Sequence, residues 1–208
     1  METRTFIFRW LRAASSMMRH EEALSRLDLE IGDGDHGVTI ARGYAALCED
    51  PQLAACESLE DFFQRGGELI AARMGGAIGP IYGLYYQAHA EAFAGAAEAD
   101  VPGLAAAANA AVERIGRICR VKPGDKTVLD AMAPAAEALA ANARAPLEDA
   151  LASACRAARE GRDATKDMRA RKGRARFLGE KSIGHVDAGA SSYALWLEAL
   201  LASMGGPE

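Results

Sequence analysis

Aromatic residues are scarce in this 208-residue chain, at 6%. With Ala abundant, the shortage favours close-packed helices over a sheet. The four cysteines, Cys48, Cys56, Cys119 and Cys155, are scattered and form no CxxC pair. That spacing argues against zinc and for free thiols in a reducing cytosol. Basic residues are not in excess: the net charge is −5 and the pI about 5.5, which removes the general electrostatic case for a nucleic-acid partner. No apolar run is long enough to span a membrane. The opening stretch sets Arg4, Arg9 and Arg12 among its apolar residues, unlike the uninterrupted core of a signal peptide. Also missing are an internal repeat, a disordered linker and a complete GxxxxGK[ST] phosphate loop. The expectation is a cytoplasmic chain, with one domain over residues 1–208 and a large core drawn from the apolar half of its residues.

What is there first shows in the helical periodicity, which predicts eight segments. The first runs from Thr5 to Leu27, with Ile7, Trp10, Leu11, Ala14 and Met18 on one face. The second opens near His36 and ends before Pro51. Ser58-Leu59-Glu60-Asp61 reads as a capping box for the third, which reaches Met74. Pro80 suits the first residue of the fourth, which ends near Phe93. The fifth covers Val101 to Ile118, and the sixth runs to Ala141 with a bend at Pro134. The seventh runs from Pro146 to Lys172 with a weak point at Gly161. The last carries Leu195, Trp196 and Leu200.

The densest chemistry lies at Leu27-Asp28-Leu29-Glu30-Ile31-Gly32-Asp33-Gly34-Asp35-His36-Gly37. Asp28, Asp33 and Asp35 repel one another strongly at such spacing. A hard divalent cation such as Mg²⁺ relieves that repulsion, and the glycines let a phosphate chain approach the backbone. An acidic, Gly-rich surface turn is the plain alternative. Three more loops are ambiguous singly. Gly75–Gly79 either terminates a helix or turns the amides of the next helix toward an anion. Lys122-Pro123-Gly124-Asp125-Lys126-Thr127 reads as an ordinary Pro-Gly turn or as part of a phosphate site. The Gly-rich loop from Gly173 to Gly189 precedes the last helix, and the segment Arg156–Lys181 that leads into it holds ten of the 24 Lys and Arg residues. Most belong to a solvated helix face, and those beside Gly173 are placed to neutralise phosphate. An RNA patch is the weaker reading there, with no aromatic interleaving for base stacking. Alternate loops of an up-and-down bundle lie at one end, so all four are expected on a single rim. His36 suits a helix cap, a metal ligand or a nucleotide contact. His185 reads as a buried structural histidine. His20 and His89 sit within helical patterns and carry no assigned role, and Met17 and Met18 are read as core.

Four motifs, LDLEIGDGDHGVTIARG, MGGAIGPIYG, PGDKTVLDAMAPA and RKGRARFLGEKSIGHVDAGASS, together resemble the L subunit of bacterial dihydroxyacetone kinase, the ADP-binding phosphoryl-transfer subunit. The resemblance covers nearly the whole chain. It implies an all-α, eight-helix antiparallel barrel with nucleotide held in the loops at one end. It further implies two Mg²⁺ ions on Asp28, Asp33 and Asp35. The nucleotide contacts it implies are His36, Gly37, Val38, Thr39, Ala77, Ile78, Cys119, Val128, Arg174, Asp187, Ala188 and Gly189. Arg174 and the three aspartates would offset charge during transfer. The implied partners are a K-type subunit that holds the ketose and a phosphohistidine donor protein that recharges ADP. Exchangeable ATP, erythrulose as the ketose, a transcription regulator and a homodimer are the alternatives the resemblance leaves open. A structural bundle whose acidic loop merely holds a cation is the bland one. Two departures from the family pattern stand out: Ile78 replaces a serine of GGASG, and Ala188 replaces a proline after Asp187.

Overall fold

The computed structural model describes residues 1–205. Every predicted helix is present. The α-helices are α1 (Thr3–Met17), α2 (Glu21–Ile31), α3 (His36–Glu49), α4 (Pro51–Ala54), α5 (Leu59–Arg73), α6 (Ile78–Ala92), α7 (Val101–Cys119), α8 (Leu129–Ala141), α9 (Leu147–Ala164) and α10 (Ala188–Met204). Among the described residues there is no strand, only an isolated bridge between Glu2 and Glu98.

Ten helices rather than eight arise at two places. A tight 3-10 turn at Met18–His20 divides the first predicted segment, and Met18 is therefore only half-buried. The four-residue α4 opens on Pro51, where the Asp50 carboxylate caps the amides of Gln52 and Leu53. Ser58 caps α5 through the amide of Asp61, as the capping box predicts. Helix α6 begins two residues before Pro80. Helix α8 continues through Pro134. Helix α9 is unbroken at Gly161, where it crosses α8 against Asp130 and Pro134. It stops at Ala164, well short of Lys172, and gives way to two 3-10 stretches at Thr165–Asp167 and Arg174–Ser182.

Packing closes the helices into a circuit. Helix α1 lies on α3, α3 on α5, and α5 through α10 each pack on the next. Helix α10 then returns to α1, and α2 bridges α3 and α10. The few aromatics are concentrated inside. Trp10 donates to the Tyr86 hydroxyl at 2.8 Å and lies edge-on to Trp196 at 4.8 Å between ring centroids. Tyr44 stacks on Trp196 at 5.0 Å. Small alanines on α7, α8 and α9 fill the opposite half of the core, allowing those helices to approach closely. Burial of this apolar surface, at roughly 25 cal/mol per Å², is the main force holding the bundle. No helix is long and apolar enough to cross a membrane.

Candidate functional site

The acidic loop joins α2 to α3 and places Asp28, Asp33 and Asp35 together. One carboxylate oxygen from each lies within 4.8 Å of the others. Asp28 comes from the last turns of α2, and its side chain folds back over Gly32. A Cβ at Gly32 would come within 2.2 Å of Asp28 Oδ1, so a glycine keeps that space for the carboxylate. Asp28 Oδ2 is buried and has no hydrogen-bond partner. An unpartnered buried carboxylate oxygen beside two more carboxylates is a donor set for a hard cation, and it fits Mg²⁺.

Arg174 supplies the local countercharge. Its Nη1 lies 2.5 Å from Asp33 Oδ1 and 3.4 Å from Asp35 Oδ1. The Asp35 carboxyl is still pushed above the usual carboxylate range, first by desolvation and then by Asp33, with Arg174 opposing. One guanidinium does not balance three carboxylates.

His36 opens α3, and its Nε2 lies 3.0 Å from the hydroxyl of Ser192 on α10. Burial lowers its pKa while the Asp28 charge opposes that shift, which favours the neutral ring. Val38 is exposed, and Gly37 and Thr39 are buried along α3. No side chain caps α3 or α6, so their first-turn amides remain available to a ligand.

On the far side of the cluster Asp187 caps α10 by accepting from the Ala190 amide at 2.8 Å. Its carboxyl is raised to about 7, chiefly by desolvation and further by the Asp130 and Asp28 charges, against the Ala190 bond and Lys126. Gly189 packs beside Val128, which ties the start of α10 to the start of α8.

The structure thus brings three of the four loops directly together. The segment 165–187 meets the acidic loop through Arg174 and the 122–127 turn through Lys126. The Gly75–Gly79 loop joins less directly. Ala77 and Ile78 open α6, and Tyr82, one turn on, lies edge-on to Tyr44 of α3 at 6.3 Å between ring centroids. Cys119 ends α7, half-buried, with its thiol pushed up by burial. Among the described residues Ala77, Ile78 and Cys119 make no hydrogen bond to the acidic loop.

His185 is not buried. Its side chain is about a third exposed, and Nδ1 lies 2.7 Å from Glu30 Oε2. Three residues that lie inside the quoted motifs but were given no individual role also matter at the rim: Glu30, Ser192 and Lys126. A hydroxyl one turn into α10 and a lysine inside a Gly-rich turn are the signals that could have drawn attention to them. An open cavity of about 750 Å³ lies between Gly124 and the segment 165–187, lined by Arg169, Arg171, Arg176 and Phe177. The acidic triad does not line it, and the chemistry concentrates at the triad instead.

Known proteins resemble this chain in sequence and in fold. The chain is 35% identical over 194 residues to the ADP-binding subunit DhaL of PEP-dependent dihydroxyacetone kinase 1 from Listeria innocua, covering 93% of both chains. It is 36% identical to the D-erythrulose kinase of Mycolicibacterium smegmatis over 88% of this chain, but spans only 32% of that longer protein. The crystal structure of the dihydroxyacetone kinase from C. freundii in complex with AMP-PNP and Mg²⁺ matches 98% of this chain with a TM-score of 0.75. Identity there is 24%, and this chain spans 34% of that one, so the likeness concerns the fold. The DAK2 domain model matches residues 30–202, and the chain belongs to that family.

Proposed function

We propose that this chain is the nucleotide-binding, phosphoryl-transferring subunit of a short-ketose kinase, acting as one unit over residues 1–208. The observation that carries the reading is the convergence of Asp28, Asp33 and Asp35 around an unpartnered carboxylate oxygen, with Arg174 arriving from the opposite end of the sequence. The DhaL relative supports ADP as the resident nucleotide. Two Mg²⁺ ions, held by the three aspartates, suit a cluster with more negative charge than Arg174 alone offsets. Bound there, Mg²⁺ would neutralise phosphate oxygens and lower the barrier to transfer.

The chain's own groups bind and orient. Arg174 is placed to release the carboxylates and hold the transferring phosphoryl group. The uncapped amides of α3 and α6 face a diphosphate as neutral donors. His36 is held neutral between α3 and α10, where it supports the turn without adding charge. Ile78 offers backbone only, where the family pattern has a hydroxyl. Among the described residues of these loops, none besides the metal-binding carboxylates is assigned as a base for a ketose hydroxyl. The acceptor is therefore read as arriving on a separate K-type subunit that supplies acid–base chemistry. The PEP-dependent relative favours recharging of ADP by a phosphohistidine protein. The likeness to an erythrulose kinase keeps ATP and a four-carbon ketose as the second reading. A cytoplasmic setting accords with these partners.

Mass spectrometry of nucleotide released from the purified chain tests the proposal, together with Mg·ADP calorimetry on wild type and Asp33→Ala. Retained ADP, with metal-dependent binding lost in the variant, is the expected result. Equal affinity in both proteins overturns it. Steady turnover with K subunit and ATP alone would exclude an obligatory phosphohistidine donor.

A further inference from the structure

Lys126 is 1% exposed and adopts a left-handed backbone conformation, φ 61°. That conformation is uncommon outside glycine and asparagine. Its Nζ donates to four backbone carbonyls: Thr165 at 2.8 Å, Met168 at 3.1 Å, Ser182 at 2.7 Å and His185 at 2.5 Å. An ammonium has three protons, so at least one is shared between two oxygens.

The four carbonyls belong to the two ends of one excursion. Thr165 and Met168 lie where the chain leaves α9, and Ser182 and His185 lie where it returns toward α10. Lesser bonds stitch the same neck. The Gly184 amide donates to Lys166 O at 2.8 Å, the Ala170 amide to Ser182 Oγ at 2.9 Å, and the Asp187 amide to Thr165 Oγ1 at 2.9 Å. The excursion is therefore a long surface loop whose neck is closed around a buried cation. Without that cation, four carbonyl dipoles would converge with their negative ends together and no donor between them.

We propose that Lys126 is a positioning residue for the nucleotide site: by clasping the neck of the 165–185 loop, it sets Arg174 against Asp33 and Asp35. Arg174 lies midway along the loop, on the side that meets the acidic turn. His185, whose carbonyl Lys126 holds, reaches Glu30 on the other flank of that turn. One ammonium thus governs both contacts between the loop and the acidic cluster. Burial lowers its pKa, and Asp187 and Asp167 oppose that shift by favouring the charged form. This inference rests on the reading of Asp33, Asp35 and Arg174 as a phosphate site.

Calorimetry with Mg·ADP on four proteins tests it: wild type, Lys126→Met, Arg174→Ala and the double variant. Methionine keeps length and apolar bulk and removes every donor. If Lys126 acts through Arg174, each single change weakens binding about tenfold. The double variant then loses no more than about twofold beyond Arg174→Ala. A purely structural lysine gives additive losses, and that outcome, like unchanged affinity in Lys126→Met, overturns the proposal. Trypsin supplies a second readout, because residues 166–181 contain seven Lys and Arg. Faster cleavage inside that segment with retained helical circular dichroism is expected for Lys126→Met, and an unchanged rate counts against the clasp. Should Lys126→Met fail to fold, Lys126→Gln takes its place, keeping one two-proton donor and predicting an intermediate loss. Wild type that cannot bind Mg·ADP would sink the phosphate reading and, with it, the positioning role, while the tryptic rates would still report whether the clasp exists.

Discussion

Arg174 and Asp33 lie 141 positions apart in sequence and meet at 2.5 Å, with Asp35 3.4 Å from the same guanidinium nitrogen. Side-chain exposures are 59% for Arg174 and 42% for Asp33. Water screens so open a pair, and its direct contribution to folding is small. Its consequence is placement: a positive group is stationed where three carboxylates gather.

Arg174→Ala should therefore separate stability from binding. Its unfolding free energy is expected within about 0.5 kcal/mol of wild type, while Mg·ADP affinity and transfer rate fall about tenfold or more. Arg174→Lys should recover only part, because an ammonium lacks the planar fork of a guanidinium. Urea denaturation and calorimetry on the same samples measure both quantities. A variant that unfolds early and binds normally would reverse the assignment.

Asp28 tests the metal directly. Its Oδ2 is buried without a partner, so in chelator-treated protein Asp28→Asn removes a repelling charge and should not reduce stability. Mg²⁺ at a hundred times its dissociation constant should add about 2.7 kcal/mol to wild type. The same addition should leave Asp28→Asn unmoved. Thermal melts with and without Mg²⁺ make the comparison, and an equal metal-induced rise in both proteins would remove Asp28 from the ligand set.

The sequence carried the helices well wherever an apolar stripe met a recognisable cap, as at Ser58 and before Pro51. It misplaced the end of α9, because the basic run to Lys172 keeps helical composition after the chain has turned. Charge composition does not show where a neck will form, and the neck at Thr165 depends on Lys126, 39 residues away. The acidic triad was legible because its three members lie within eight residues. Arg174 was expected at the site from its place beside Gly173 and from family likeness, but its pairing with Asp33 was not. His185 looked structural because a lone histidine usually is, and its partner Glu30 sits in a segment whose other acids drew attention first. Glu30 and Ser192 were illegible for one reason: each acquires its role only through a neighbour brought in from the far end of the sequence.

Gly37 marks the closest approach of α3 to α2. A Cβ there would lie 1.9 Å from the Glu21 carbonyl oxygen and 2.5 Å from Ser25 Oγ. Backbone on one side leaves no flexible atom to yield, so Gly37→Ala must push the helices apart. The expected loss is about 2 kcal/mol, typical of overpacking. Because α3 also carries His36, the displacement should weaken Mg·ADP binding beyond what the stability change explains. Gly75→Ala is the control, since a Cβ there meets nothing within 4 Å and the variant should melt like wild type.

His89 gives the fold an acid-sensitive term far from the acidic loop. It is fully enclosed by Tyr85, Phe63 and Trp10, with ring centroids at 4.2, 4.9 and 5.6 Å. Its Nδ1 lies 2.8 Å from the Tyr85 carbonyl oxygen. Burial lowers its pKa to about 4, only partly opposed by that bond. The unfolded chain, with an ordinary histidine near 6.5, binds the proton first as pH falls. Between those two values the unfolded state holds more protons than the folded one, so stability rises with pH across the window. The contribution is fully present above about 6.5 and drains away toward pH 4, by up to about 3 kcal/mol. Asp35 and Asp187, whose carboxyls are raised, act in the opposite sense, so the wild-type curve alone does not isolate His89. His89→Phe does, because it keeps an aromatic ring and cannot take a proton. The variant should lose about 1 kcal/mol at pH 7 with the hydrogen bond gone. The gap should then close, and reverse, as pH approaches 4.5. Urea midpoints for both proteins from pH 4.5 to 7.5 measure it, and parallel curves would show that protonation of His89 is not what acid acts on.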